Sequence, residues 1–520
     1  MEKGLLGGVK WEFSEDVLTF TPKNGNEGTF VTENKPLHKI TGNILLVRHI
    51  KTNGVLHCEG DVLKDMFCNY PKLETADLSA FETSKATSMD GIFNDCCSLV
   101  SLNLSSFDTS NVQDMSYMFR GCKSLKTLDL SNFDTSKVQN MVCMFEDCSN
   151  LRTLDISNFD TRNVRNMFSM FSGCLRLETL NLSNFNTSKV EGMDYMFCDC
   201  REITTLDLSS FDTSNVVGMM GMFVGCSMLK DLNLFNFNTS NVTAMKAMFH
   251  DCFKLKKLDL SGFDTSKVNC MNDMFKGCSS LAELDISSFD TSNVTIMRGM
   301  FKDCKNLDTI DVSSFDISKV GNMNNMFDGC SSLKSLNLSN FDTSNLQYAI
   351  RMFYKCDNLE RIDFSRFTPK HIENYDLGLF ACGSLKDIII SDELKERYKI
   401  ISPLFSCDTE MGRFVKKKVV FVNLLTKIEK LTGCDLAKER EIFSSVTPSD
   451  WNEIFAYKMS KEVVPDERLS DIIKIIKHDI NSQYLTNNEI QYATKNLEAC
   501  GIVSDIQAYL NGVPVEDILA

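Results

Sequence analysis

Cysteine is the residue type here with the most obvious chemical potential. The chain has 21 cysteines, and twelve recur every 26 residues: Cys96, Cys122, Cys148, Cys174, Cys200, Cys226, Cys252, Cys278, Cys304, Cys330, Cys356 and Cys382. In a stack, such positions would lie ~5 Å apart, within reach of a disulfide. Zinc needs four ligands converging on one point, and there is neither a CxxC pair nor a histidine recurring beside the ladder. One small, readily buried side chain per layer is what a core wants. The column is therefore read as reduced thiols, which suits a reducing compartment. The methionines Met115, Met118, Met141 and Met144 keep core spacing, and no metal is assigned to them.

A second row is acidic. Asp77, Asn103, Asp129, Asp155, Asn181, Asp207, Asn233, Asp259, Asp285, Asp311, Asn337 and Asp363 each sit between two leucine-type positions, beside a row of serines such as Ser105, Ser131, Ser157 and Ser183. The row should face outward on the concave side. It reads as a solvated polar ladder or as an acidic groove for a basic partner. Calcium is disfavoured because the Gly-rich nonapeptide pattern is missing. Breaks in a uniform surface carry more information. Phe235 stands in the serine row, and Asp231, Lys257 and Glu283 replace a mostly Thr/Ser row. With the neighbouring Asp207, Asp259 and Asp285, they form the candidate contact set, Phe235 being the aromatic anchor. The six histidines are scattered, and no P-loop, G-x-G-x-x-G or G-x-S-x-G motif occurs. No catalytic residue, cofactor or metal site is assigned, and the chain is read as a non-enzyme.

The elements that position these rows follow from one unit, residues 125–150. Leu128-Asp129-Leu130-Ser131 alternates as a half-buried strand does. Val138, Met141, Met144, Phe145 and Cys148 then recur at three- and four-residue steps, which predicts a short helix. Asp134-Thr135-Ser136 would cap it, and the Gly or Asp before most ladder cysteines (Gly121, Asp147, Gly173, Asp199) would end it in an αL turn. A phenylalanine ladder from Phe81 to Phe367 keeps the same period. One unit cannot bury its apolar stripe alone, whereas a stack can. The predicted fold is α/β: a leucine-rich-repeat-like solenoid of about twelve 26-residue repeats, strand–turn–short helix, followed by an α-helical C-terminal domain.

The repeated Leu-x-x-Leu-Asp-Leu-Ser-x-Phe-Asp-Thr-Ser-x-Val-x-x-Met-x-x-Met-Phe-x-x-Cys resembles the BspA-like leucine-rich-repeat family of bacterial proteins over about residues 63–390. That resemblance implies surface adhesins and host-protein binders, exported and anchored. Residues 1–62 read as a β-rich cap, residues 63–390 as the solenoid and residues 391–520 as the helical domain. The predicted helices of that domain cover 392–401, 416–431, 448–460, 466–483 and 487–499.

Lys+Arg 55 against Asp+Glu 70 gives a net charge of −15, so no global basic footprint for nucleic acid or anionic lipid exists. No apolar run approaches the ~18–20 residues of a membrane span, and the N-terminus lacks a signal-like apolar stretch. The expectation is a cytoplasmic, non-enzymatic scaffold whose partner is another protein, basic if the acidic face engages it. Direct nucleic-acid and membrane partners are not expected. The C-terminal domain would be a second binding or an oligomerisation module. An adhesin exported by another route, and an acidic inhibitor of a nucleic-acid-binding or defence enzyme, are the alternatives.

Overall fold

The structure is a computed structural model that describes residues 2–31 and 45–367, together with 377, 382, 384, 385 and 387–390. The chain divides into two compact units, Met1–Ser384 and Leu385–Ala520. The predicted C-terminal helices and the domain they would form lie outside the described residues.

The first unit opens on an antiparallel meander of β1 (Glu2–Leu6), β2 (Val9–Ser14) and β3 (Val17–Pro22). Next come β4 (Glu27–Thr29), β5 (His49–Thr52), β6 (Val55–Gly60), β7 (Thr75–Asp77), β8 (Phe81–Ala86) and β9 (Ser101–Asn103). From β3 the sheet continues parallel through β5, β7 and β9, while β4, β6 and β8 form a second parallel ladder. The 26-residue register already holds at His49↔Thr75. Parallel stacking thus reaches back into the segment read as a cap, and the meander covers the edge that a first coil would expose.

Residues 151–176 show how a typical coil works. Leu151, Leu154, Ile156 and Phe159 are buried, while Thr153, Asp155 and Ser157 point outward, as the alternation predicts. The second half of the repeat departs from expectation. Val164, Met167, Met170, Phe171 and Cys174 are all buried, yet there is no helix among the described residues of the solenoid. The amides of Met167, Ser169, Phe171 and Gly173 donate to Gly192, Asp194, Met196 and Cys198 of the next coil, at 3.0, 2.9, 2.9 and 2.7 Å. Those of Met170, Ser172 and Cys174 donate three residues back instead, at 3.2, 3.1 and 3.2 Å. Ser169 and Gly173 have φ of 51° and 72°, outside any right-handed helix. The segment is a ribbon of linked turns. A stacked neighbour supplies acceptors for alternate amides, so the backbone is satisfied without i→i−4 bonds. The described fold is therefore a β-solenoid rather than α/β.

The αL position before each ladder cysteine is as expected: Gly121, Asp147, Gly173 and Asp199 have φ of 71°, 59°, 72° and 55°. It closes the turn ribbon and not a helix. The Asp-Thr-Ser corner likewise caps no helix. Asp134 Oδ1 accepts from the Ser136 amide at 2.9 Å. The buried Thr135 hydroxyl donates to the Asp160 carbonyl at 3.0 Å and accepts from its amide at 2.7 Å.

Two columns of phenylalanine rings run through the core. On the ribbon side, Phe171, Phe197, Phe223 and Phe249 stack with centroids 5.8, 5.8 and 5.7 Å apart. At the strand-side corner, Phe185 and Phe211 lie 6.4 Å apart and within 3° of parallel. Rings held this nearly parallel report the local coil-to-coil step at each column. The strand ladder is discontinuous. Thr153–Leu154 pairs with Thr179–Leu180, and Thr205–Leu206 with Asp231–Leu232. No backbone hydrogen bond among the described residues joins 178–182 to 204–208. Backbone bonding between coils on this side therefore skips that junction, while the acidic row itself is exposed.

Candidate binding surface on the strand side

The thiol column is built as core. Cys148, Cys174 and Cys200 each donate Sγ–H to a phenylalanine carbonyl of the preceding coil, Phe119, Phe145 and Phe171, at 3.1, 3.2 and 3.2 Å. Burial pushes the Cys174 thiol up to about 12, so it stays protonated and unreactive at neutral pH. The described cysteines are all free thiols.

The strand side is different because its polar groups face water. Asp155 and Asp207 accept from the amides of Ser157 and Ser209 at 3.0 and 2.9 Å. Asp259 and Asp285 accept from both the amide and the hydroxyl of Ser261 and Ser287, at 3.0 and 2.7 Å in each case. Asn181 and Asn233 make the same bond, to the amides of Ser183 and Phe235 at 3.1 and 3.0 Å. Closing this Asx turn requires an acceptor oxygen, not a charge, which is why Asp and Asn interchange along the row. The charge is present all the same. The Ser157 hydroxyl and amide hold the Asp155 carboxyl below its ordinary value, and the Ser209 amide and hydroxyl do so for Asp207.

At the break in the serine row, only the main chain of residue 235 enters the turn, so any side chain is tolerated there. The Phe235 ring is 91% exposed, far more than any other large apolar side chain described. Asp231 pairs in register with Thr205 one coil earlier. Lys257 and Glu283 pair in register on the following two coils and form an ion pair at 3.2 Å. Both are exposed, so the pair contributes only ~0–1 kcal/mol. The predicted contact residues thus share one face over four consecutive coils, with Asp207 on the first, Asp231 and Phe235 on the second, and Lys257 with Asp259 and Glu283 with Asp285 on the last two.

Beside them lies a feature absent from the sequence-based set. An open groove of about 520 Å³ is lined by Thr153, Leu154, Asp155, Thr179, Leu180, Asn181, Thr205 and Asp207. Attention to breaks in the rows passes over it, because it is made where the threonine row is unbroken. Among the described residues, no group of three or more His, Cys, Asp or Glu side chains is arranged to hold a metal, and no helix is long and apolar enough to cross a membrane.

One family profile, described as "Mycoplasma protein of unknown function, DUF285", matches four overlapping stretches, residues 61–177, 126–230, 199–309 and 281–387. Together these span more than half of the chain. The chain belongs to this family. No curated protein matches it. Among solved structures, a leucine-rich cell surface protein from Faecalibacterium prausnitzii A2-165 is 18% identical, over 75% of this chain and 95% of its own, with a TM-score of 0.33. The functional domain of InlJ from Listeria monocytogenes, which includes a cysteine ladder, is 13% identical over 62% of this chain and 70% of its own, at 0.19. The TLR13–ssRNA13 complex is 17% identical over 65% and 53%, at 0.22. Likenesses of this size fix neither the fold nor the partner of the present chain. The DUF285 repeats themselves end at residue 387, close to the boundary between the two compact units.

Proposed function

We propose that the chain is a non-catalytic protein-binding scaffold of the cytoplasm, with the strand side of its DUF285 solenoid as the recognition surface. The observation that carries this reading is Phe235. A ring 91% exposed stands in a row that is otherwise serine, flanked by Asp231, Lys257 and Glu283. Exposed aromatics amid charge are the usual anchors of protein interfaces. A long, regular stack holds such a surface rigid, so little conformational entropy is lost on binding. The free, carbonyl-bonded thiols support a reducing compartment. The BspA-like resemblance of the repeats supports protein binding as the class of activity.

The test is affinity capture from native lysate with the full chain and two variants. Ser183→Arg disturbs the strand side, and Lys276→Glu disturbs the ribbon side as a control. A specific protein retained by the control and lost with Ser183→Arg is expected. Capture indifferent to both variants would remove the strand side from the proposal. Degradation of the protein by protease added to intact cells would replace the cytoplasmic setting with a surface one.

A further inference from the structure

The groove beside Phe235 has a direction. Its banks are the hydroxyl row Thr153, Thr179, Thr205 and the row Asp155, Asn181, Asp207, and its floor is Leu154 and Leu180. In a strand the residues at i and i+2 face one way and i+1 the other, so the groove runs across the strands, along the solenoid axis. The three outward rows carry four carboxylates between Thr127 and Phe235, Asp129, Asp155, Asp207 and Asp231, and no cation. In the adjoining row Arg152 is engaged by Glu178 at 2.7 Å, with Lys126 and Lys230 on the coils to either side. Oδ1 of Asp155 and of Asp207 closes a turn, and both carboxylates are exposed.

The spacing selects a ligand. Asp155 and Asp207 stand two coils apart. With ~4.8 Å for a hydrogen-bonded strand step and 6.4 Å for the corner step at Phe185–Phe211, they are separated by about 10–13 Å. An extended chain rises ~3.3 Å per residue and shows alternate side chains on one face, so four residues cover that interval. One coil further along is Phe235. We propose that this groove binds an extended cationic segment of a partner protein, with Lys or Arg at positions i and i+4 over Asp155 and Asp207 and an apolar side chain at i+6 against Phe235. The inference rests on the strand-side reading above and names the chemistry of its partner. Position i+2, opposite Asn181, takes a small neutral residue.

The test uses the full chain and a fluorescein-labelled threonine-rich peptide with Lys at i and i+4, Ser at i+2 and Ile at i+6. Two control peptides carry Glu in place of Lys, or the same composition with the lysines adjacent. The Asp155→Asn/Asp207→Asn protein keeps the turn acceptors, since Asn occupies this row at 103, 181, 233 and 337. Phe235→Ser restores the residue of the other coils. Fluorescence anisotropy should show binding that weakens about tenfold in the double variant, weakens in Phe235→Ser, and declines with salt. No binding of the cationic peptide at millimolar protein, equal binding of the Glu peptide, or unchanged affinity in the double variant would overturn the proposal. If lysate capture still depends on Ser183 in that event, the scaffold reading stands and only this ligand falls.

Discussion

Asp303 Oδ1 lies 2.5 Å from the point a Cβ would occupy on Gly329, one coil further along. The two residues share that space only because one has no side chain. The row alternates from residue 95 to residue 329: Asp95, Gly121, Asp147, Gly173, Asp199, Gly225, Asp251, Gly277, Asp303, Gly329. On the strand side, hydrogen bonding alternates in the opposite phase between residues 153 and 309. There each Gly coil is bonded to the following Asp coil, as in 153–179, 205–231 and 257–283. Each junction between 153 and 309 is thus tied either by an Asp folded over a Gly or by a strand pair, and the structural period there is 52 residues.

Gly329→Ala should therefore destabilise the solenoid by about 2–4 kcal/mol, through the clash with Asp303 and through a φ of 78° that alanine resists. Adding Asp303→Gly, at a residue whose own φ is 60°, should recover the clash portion and leave a deficit of ~1 kcal/mol. Urea unfolding of the two single variants and the double variant measures this. Additive losses would mean that the carboxylate does not press on Gly329.

The threonines of the Asp-Thr-Ser corner are predicted to be structural. The Thr213 hydroxyl is buried, donates to the Asn238 carbonyl at 2.9 Å and accepts from its amide at 2.8 Å. Thr213→Val keeps the volume but strips both bonds, and should cost ~1–3 kcal/mol in urea unfolding. Among the described residues this row already contains one such break, Ile317, which is buried without a hydroxyl. Thr343→Val, one coil after that break, should cost less than Thr213→Val if neighbouring corners reinforce one another. Equal costs would show that each corner acts alone.

The period, the buried rows and the αL site before each cysteine are legible from residue types, because they follow from burial and φ alone. The turn ribbon is not, because Met167, Met170, Phe171 and Cys174 keep a spacing that a helix buries equally well. What decides between them is where alternate amides find acceptors, and those acceptors belong to the next coil. The Gly/Asp alternation at Gly121, Asp147 and Gly173 is the available clue, since a helix end has no reason to change residue type on every second repeat. Phe235 is legible as a break in a row. The groove is not, because its depth depends on the spacing between three successive coils, which no single repeat encodes.

The thiols offer a probe of unfolding. Cys174 is fully buried with its thiol raised to about 12, whereas Cys97, Cys198 and Cys270 are half-buried. A thiol reagent at neutral pH should label the half-buried residues first and leave the ladder protected until the coils open. Mass spectrometry of labelled peptides along a urea series gives the order. Ladder cysteines labelled in the native protein as fast as Cys97 would contradict the core assignment.

The last prediction concerns pH and the first coils. His57 on β6 lies between two carboxylates on the flanking strands, with Nδ1 3.1 Å from Glu82 Oε2 on β8 and Nε2 3.5 Å from Glu27 Oε2 on β4. Its pKa is raised, chiefly by the hydrogen bond to Glu82; burial opposes the shift, and Glu27 adds to it. Glu82 is lowered, by the Ser84 hydroxyl first and then by His57. The histidine contribution to stability is fully present below its ordinary value of ~6.5 and is lost as pH rises through the raised folded value. The Glu82 contribution is present above the ordinary glutamate value of ~4.3 and is lost as pH falls through the lowered folded one. The clamp across β4, β6 and β8 should therefore be strongest in mildly acidic solution and weaken toward alkaline pH. It is partly exposed, so added salt should flatten the effect. Hydrogen exchange of the β4 and β6 amides, after correction for the intrinsic pH dependence, should show protection falling as pH rises above the ordinary histidine value of ~6.5 in the wild-type protein but not in His57→Gln. An identical pH dependence in both proteins would mean that the three residues sit together without coupling.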